Sequence, residues 1–241
     1  MGVCPICGIP VNFRQRKWSG LFDQMKGIMM YTGNEKLEYK GKELPYSMLQ
    51  FWQLSLSDIL FNMNRGTFAE YIVRCALIEG GFIPPDESNG SIRPWDITGP
   101  VIPSVSRAAR IEVKSTATIQ SNSPDGIEVS TLPDSKLVFS IKPAIDWDTN
   151  EKGRHNDLYV FCHYKATSKA QNILDMGLWD FYVYPTFKID SDLKLKEKNS
   201  ISLYRIKKLG VMQVSFDALN DEIVRQISIV SEHLSRSEET A

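Results

Sequence analysis

The sequence predicts an α/β (α+β) chain: a mixed central β-sheet flanked by helices, with a small N-terminal extension. Three observations predict it. Residues 47–79 carry a helical apolar period, residues 109–184 carry strand alternation and one continuous apolar run, and residues 215–234 return to the helical period. At 241 residues, 42% hydrophobic and 24% charged, the composition is that of an ordinary globular protein. A core of that size needs no disulfide or metal to fold.

Residues 1–45 read as the extension, with a basic run Arg14-Gln15-Arg16-Lys17-Trp18 and an end at Leu44-Pro45. Cys4-Pro5-Ile6-Cys7-Gly8 has the form of a knuckle presenting two thiolates to Zn²⁺. A structural zinc needs four ligands, and no second CxxC or His pair follows. It is half a site, completed by a second chain or by His155 or His163, or else a turn with no metal. Residues 46–235 form the main domain. Ser47 to Glu79 predicts two helices meeting near Asn64-Arg65-Gly66. In the second, Ala69, Ile72, Val73, Ala76 and Leu77 make one stripe, and Gly80-Gly81 stops it. Cys75 and Cys162 fall in apolar patterns and are expected as small core residues.

The period then changes to two. Ala109, Ile111 and Val113 alternate with Arg110, Glu112 and Lys114, and Leu137, Phe139 and Ile141 alternate with Val138, Ser140 and Lys142. Leu158 to Cys162 is apolar throughout, as in a central strand covered on both faces. Trp179 to Tyr184 is a further strand, closed by Pro185. Ser215 can cap a last helix with Leu219, Ile223, Ile227, Val230 and Leu234 on one stripe. Residues 236–241 form a frayed polar tail.

With 28 basic and 29 acidic residues the net charge is -1. No whole-protein basic field announces nucleic-acid binding, so a polyanion must be held by a local patch. The clearest stretch is Lys188 to Lys208, with seven Lys/Arg against Asp190, Asp192 and Glu197, and a solvated face explains it equally well. Arg14–Trp18 and Lys142–His155 are the other candidates. No apolar stretch approaches the ~18 residues of a membrane span, and the N-terminus has no secretory pattern. A cytoplasmic protein with no membrane partner is expected.

Three local features carry chemistry. On the strand through Glu112-Val113-Lys114, the carboxylate and the ammonium project from one face while Val113 enters the core. That pair suits metal-assisted hydrolysis, although E-x-K is also a common exposed ion pair. Asp96, sixteen positions earlier in Pro94-Trp95-Asp96, joins Glu112 if the chain folds back antiparallel. Two such carboxylates suit Mg²⁺, and Asp96-Ile97-Thr98-Gly99 is equally a type I turn. Glu70 falls at the edge of the helical stripe, able to lean into a site, and Thr67-x-x-Glu70 also has capping-box spacing.

Asp96, Glu112-Val113-Lys114 and the upstream Glu70 resemble the PD-(D/E)xK, or restriction-endonuclease-like, nuclease superfamily. Phe51-Trp52, Ser57-Asp58, Asn62, residues 65–73, Ile111 to Ser115, Asp157 to Phe161 and Trp179 to Thr186 look like one bacterial group of predicted restriction and defence nucleases. The resemblance runs from about Tyr46 to Gln226. It implies a four-stranded mixed sheet with the site at one end. It implies Mg²⁺, with Mn²⁺ able to substitute, held by Asp96, Glu112, the Val113 carbonyl and Glu70, and Lys114 orienting the water. Gln120 matches a polar residue often found beside the E-x-K. Trp95 departs from the usual proline-aspartate pair; it packs in the core or stacks on a base. The activity implied is endonucleolytic cleavage of DNA, as in a type II restriction or phage-defence enzyme. A homodimer would match a palindrome, and a DNA methyltransferase is the partner such enzymes have. The alternative is an inactive DNA-binding or assembly module on the same fold.

Overall fold

The structure, a computed structural model, describes residues 31–84, 93–123, 132–146 and 149–239. Cys4, Cys7 and Arg14–Trp18 therefore lie outside the described residues. The chain divides into two compact units, Met1–Ser57 with Pro85–Ser91, and Asp58–Pro84 with Ile92–Ala241.

In the first unit, β1 (Lys36–Tyr39) and β2 (Lys42–Ser47) pair antiparallel and lead into α1 (Met48–Leu56). Ser47 starts the helix with a reciprocal capping box: its hydroxyl accepts the Gln50 N–H at 3.3 Å, and its own N–H donates to Gln50 Oε1 at 2.7 Å. Helix α1 belongs with the hairpin, so the boundary falls at Ser57 instead of Pro45.

The second unit opens with α2 (Asn62–Glu79). The expected break at Asn64-Arg65-Gly66 lies earlier, at residues 57–61. Asp58 makes it, accepting the Phe61 N–H at 3.1 Å on its side chain and the Asn64 amide at 3.0 Å on its carbonyl. Thr67 therefore sits inside the helix, donating back to the Met63 carbonyl, and makes no capping box with Glu70.

The remaining elements are β3 (Ile97–Ile102), β4 (Arg107–Ala117), β5 (Val138–Ser140), β6 (Ala144–Ile145), β7 (Lys152–Gly153), β8 (Leu158–Tyr164) and β9 (Trp179–Pro185). Then come α3 (Thr186–Ser191), β10 (Ser200–Ser202), α4 (Leu203–Lys208), β11 (Gln213–Val214) and α5 (Phe216–Glu239). The main sheet is mixed and has five strands, in the order β11-β9-β8-β4-β3, with β4 and β8 parallel and the other pairs antiparallel. That is one strand more than expected. The alternating segment at Leu137–Ile141 forms β5, but it pairs with β10 outside this sheet. Helix α5 continues through Glu239, so the tail is helical further than its polarity suggested.

Alternation decides which core each side chain enters. Ile111, Val113, Val160 and Phe181 face α2 and α5, meeting Ala69, Ile72, Val73, Leu219, Ile223 and Ile227. On the opposite face Tyr159, Phe161 and Tyr182 meet Phe139, Ile201, Leu203 and Ile206. Strand β8 is buried on both faces, as its unbroken apolar run requires. Cys162 is buried as expected, whereas Cys75 is only half-buried.

Candidate active site

The site is built where β3 begins beside the middle of β4. Asp96 N–H donates to the Ile111 carbonyl at 3.0 Å, which fixes the antiparallel register just ahead of Ile97. Before Asp96 the chain leaves the sheet, and the Asp96 side chain continues the ladder in its place: Oδ2 accepts the Val113 N–H at 2.8 Å. A strand residue sends its N–H and C=O to the same neighbour, so the Val113 carbonyl also faces the edge occupied by Asp96. The expected turn at Asp96–Gly99 is a strand start instead. At Gly99 a Cβ would stand 2.7 Å from Ile111 Cδ1, so glycine lets β3 approach β4 where its register shifts.

Glu112 and Lys114 leave β4 on one face, half-buried, with Val113 in the core behind them, as the alternation predicted. Lys114 Nζ stands 2.5 Å from Glu112 Oε1 and 3.8 Å from Asp96 Oδ2. Burial raises the Glu112 carboxyl pKa and the Asp96 charge raises it further, against the lowering effect of Lys114. For Lys114 itself burial favours the neutral amine, but Glu112, Asp96 and Glu70 together outweigh it and hold the pKa above the ordinary lysine value. Lys114 is an ammonium at neutral pH.

Glu70 rises from α2 toward the same point. Its pKa is pushed up from 4.5 to about 7, by burial first and then by Asp96, with Lys114 and Arg74 opposing. It couples to the cluster without joining it: among the described residues no three His, Cys, Asp or Glu side chains are grouped to hold a metal. Arg74, one turn further along α2, donates to the Asp96 carbonyl at 3.3 Å. Asp96 and Glu112 share Lys114, and Glu70 lies near enough to add its charge, an excess of negative charge in a partly desolvated place. A hard divalent cation would fit that donor chemistry, and Asp96, Glu112 and the Val113 carbonyl are the groups that could hold it.

Gln120 is not brought to this point. Its Oε1 accepts from Arg65 at 3.0 Å and its Nε2 donates to the Ala117 carbonyl at 3.1 Å, beyond the end of β4. Arg65 is 1% exposed and also holds the Leu60 carbonyl and Asn62, so Gln120 belongs to the clasp of the α2 start. The signal was available, because Arg65 lies four residues before Ala69 on the apolar stripe. The two histidines offered for zinc have other partners. His163 is buried against the Thr118 hydroxyl at 3.1 Å, and His155 faces the Ala144 and Glu151 carbonyls.

Two neighbours complete the surroundings, Trp95 of the sequence reading and Tyr159, which that reading placed only in the apolar run. Trp95 is half-exposed, not core: its indole N–H donates to Thr98 Oγ1 at 3.3 Å, and the guanidiniums of Arg110 and Arg93 lie 4.6 and 5.8 Å from its ring centre. Tyr159 is paired opposite Glu112 in the parallel register. No described helix is long and apolar enough to cross a membrane. No family model matches the chain, and neither a curated protein nor a solved structure matches it.

Proposed function

We propose that the chain is a Mg²⁺-dependent endonuclease that hydrolyses DNA phosphodiester bonds, with a restriction or phage-defence role and a homodimeric form for duplex cleavage. One observation carries the reading: a single strand holds Glu112 and Lys114 side by side, and Asp96 is locked to the backbone between them by the Val113 N–H. A loose surface ion pair has no need of that lock. Asp96, Glu112 and the Val113 carbonyl would hold the cation, whose chemistry is to lower the pKa of water and offset charge on the phosphate. Lys114, kept protonated, donates to the attacking oxygen or to a phosphate oxygen and so orients rather than deprotonates. Glu70, with a pKa of about 7, can take up or release a proton near neutral pH beside them. Trp95, flanked by Arg93 and Arg110, offers a ring for a base and cations for the adjoining phosphates.

The test is cleavage of unmodified plasmid and phage DNA with Mg²⁺, Mn²⁺ or EDTA, with Lys114→Ala alongside. Metal-dependent cutting that disappears in the variant supports the reading. The competing reading, a binding module whose carboxylates are structural, draws on the close Lys114–Glu112 ion pair. It predicts DNA binding without cutting, equal in both proteins.

A further inference from the structure

Two basic stretches of the chain, Lys142–His155 and Lys188–Lys208, are far apart in sequence and converge on one cleft of about 570 Å³ in the second unit. Arg154 draws them together. Its guanidinium is only 3% exposed and donates to the Ile141 carbonyl at 2.8 Å, to Asp190 at 2.6 Å, and to the Lys196 and Lys198 carbonyls at 3.1 and 2.8 Å. Five donors in a rigid fork suit this role of pinning three segments at once. The wall then carries Lys142, Lys152, Arg154 and Lys196 against Asp190 and Glu197, four cations to two carboxylates. Asp190 is spent on Arg154. Among the described residues none of the three lysines forms an ion pair, and all three are exposed. A protein of net charge -1 has concentrated cations at one concave place.

The cleft also has a direction relative to the carboxylates. Glu112 pairs with Tyr159 on the neighbouring strand, and paired residues of parallel strands share a face. Tyr159 is buried in one cluster with Ile141, whose carbonyl the Arg154 guanidinium holds at 2.8 Å. Glu112, Tyr159, Ile141 and Arg154 therefore form a line from the catalytic cluster to the cleft, crossing one strand.

We infer that the Lys142/Lys152/Lys196 cleft binds the phosphate backbone of the nucleic acid whose scissile bond lies at Asp96, Glu112 and Lys114. The inference deepens the nuclease reading and rests on it for the class of substrate. Phosphate contacts of this kind set register and orientation without reading bases.

The test uses the full chain carrying Lys114→Ala, in EDTA, with a fluorescein-labelled DNA duplex followed by anisotropy over a range of salt. Adding Lys142→Ala, Lys152→Ala and Lys196→Ala should weaken binding about tenfold or more and reduce the salt slope by about 2–3. A control with Lys165→Ala, Lys169→Ala and Lys207→Ala removes the same charge elsewhere and should keep the slope. Equal slopes and affinities in the cleft variant and its parent overturn the inference, as does an equal loss in the control. Inorganic phosphate displacing the DNA far below the concentration that its ionic strength explains would make the cleft a single-phosphate site, which also overturns it. Lysine-dependent binding without any cleavage by the unsubstituted protein would sink the nuclease and leave the cleft. Cleavage with lysine-independent binding would do the reverse.

Discussion

Two aspartates hold the same strand in the same manner, and only one is neutralised. Asp157, just before β8, accepts the Arg110 N–H of β4 at 2.8 Å, much as Asp96 accepts that of Val113 from the other side. Asp157 is closed by a bidentate Arg107 guanidinium, both contacts at 2.7 Å, and its own N–H and C=O bond to Arg110 and Thr186. Asp96 has a shared lysine at 3.8 Å, a second carboxylate on that lysine, and a side chain 25% exposed against 11% for Asp157. The first arrangement spends its charge on stability. The second leaves charge unspent on a partly exposed side chain, which is the condition for binding something else.

The sharpest way to break the comparison is activity. Asp96→Asn keeps an oxygen for the Val113 N–H and removes one negative charge, so cleavage should fall by on the order of 10³ or more. The melting temperature should hold or rise, because the substitution relieves repulsion with Glu112 and Glu70. A plasmid-nicking assay beside a thermal melt reads both, and a large loss of stability would mean that Asp96 is structural like Asp157.

Asp157→Ala should show the opposite profile. It strands the Arg107 guanidinium and the Arg110 N–H, and the loss should be about 2–4 kcal/mol in denaturant unfolding. Rough equality of stability with the parent would show that β4 needs only one of its two clamps.

Glu70 sharpens the comparison through pH. Its folded pKa, about 7, lies above the ordinary 4.5, so the folded state binds the proton more tightly than the unfolded one. Stability is then favoured at low pH, declines as pH rises from 4.5 toward about 7, and levels off above that. Burial lowers the His163 pKa from 6.5 to about 4 and tilts the parent curve the other way, so the test is a difference: in EDTA, Glu70→Gln should gain stability relative to the parent as pH rises through this window. A difference between the two proteins that does not change with pH would remove the crowding of carboxylates on which the cation fit depends.

The smallest effect is expected at Trp95. Its replacement by alanine should weaken binding of a DNA strand by on the order of 1 kcal/mol, while phenylalanine restores most of it. Competition anisotropy measures this, and equal loss in both variants would assign Trp95 to holding Thr98 through its indole N–H.

Much of this was legible. The alternation around Glu112 placed its neighbours correctly because one face of β4 is buried and the other is not, and the run at Leu158 marked the strand covered twice. Asp96 was found by spacing, yet its lock on Val113 was not, since that depends on where β3 stops pairing. β3 itself was hidden because Asp96-Ile97-Thr98-Gly99 also fits a type I turn, whereas Gly99-Pro100 falls where the register shifts. β6, β7, β10 and β11 are two or three residues long and exist only through tertiary pairing, so no period could announce them. Gln120 was misplaced because a buried arginine was not suspected on the helix stripe.

Helix α5 has a consequence for the order of events on the ribosome. Its Leu219, Ile223, Ile227 and Val230 join the same core as Ile111 and Val113, packing on β9, β3 and α2, and its Ser231 hydroxyl accepts the N–H of Ser104 at 3.0 Å. The strand bearing Glu112 and Lys114 is therefore synthesised after α2, which packs on it, and long before α5, which closes the same core. At 5–20 residues per second the interval from Lys114 to Val230 is roughly 6–23 s. Throughout that interval the core behind β4 has α2 and lacks α5. The core behind Glu112 and Lys114 is complete only once residues 216–230 have been made.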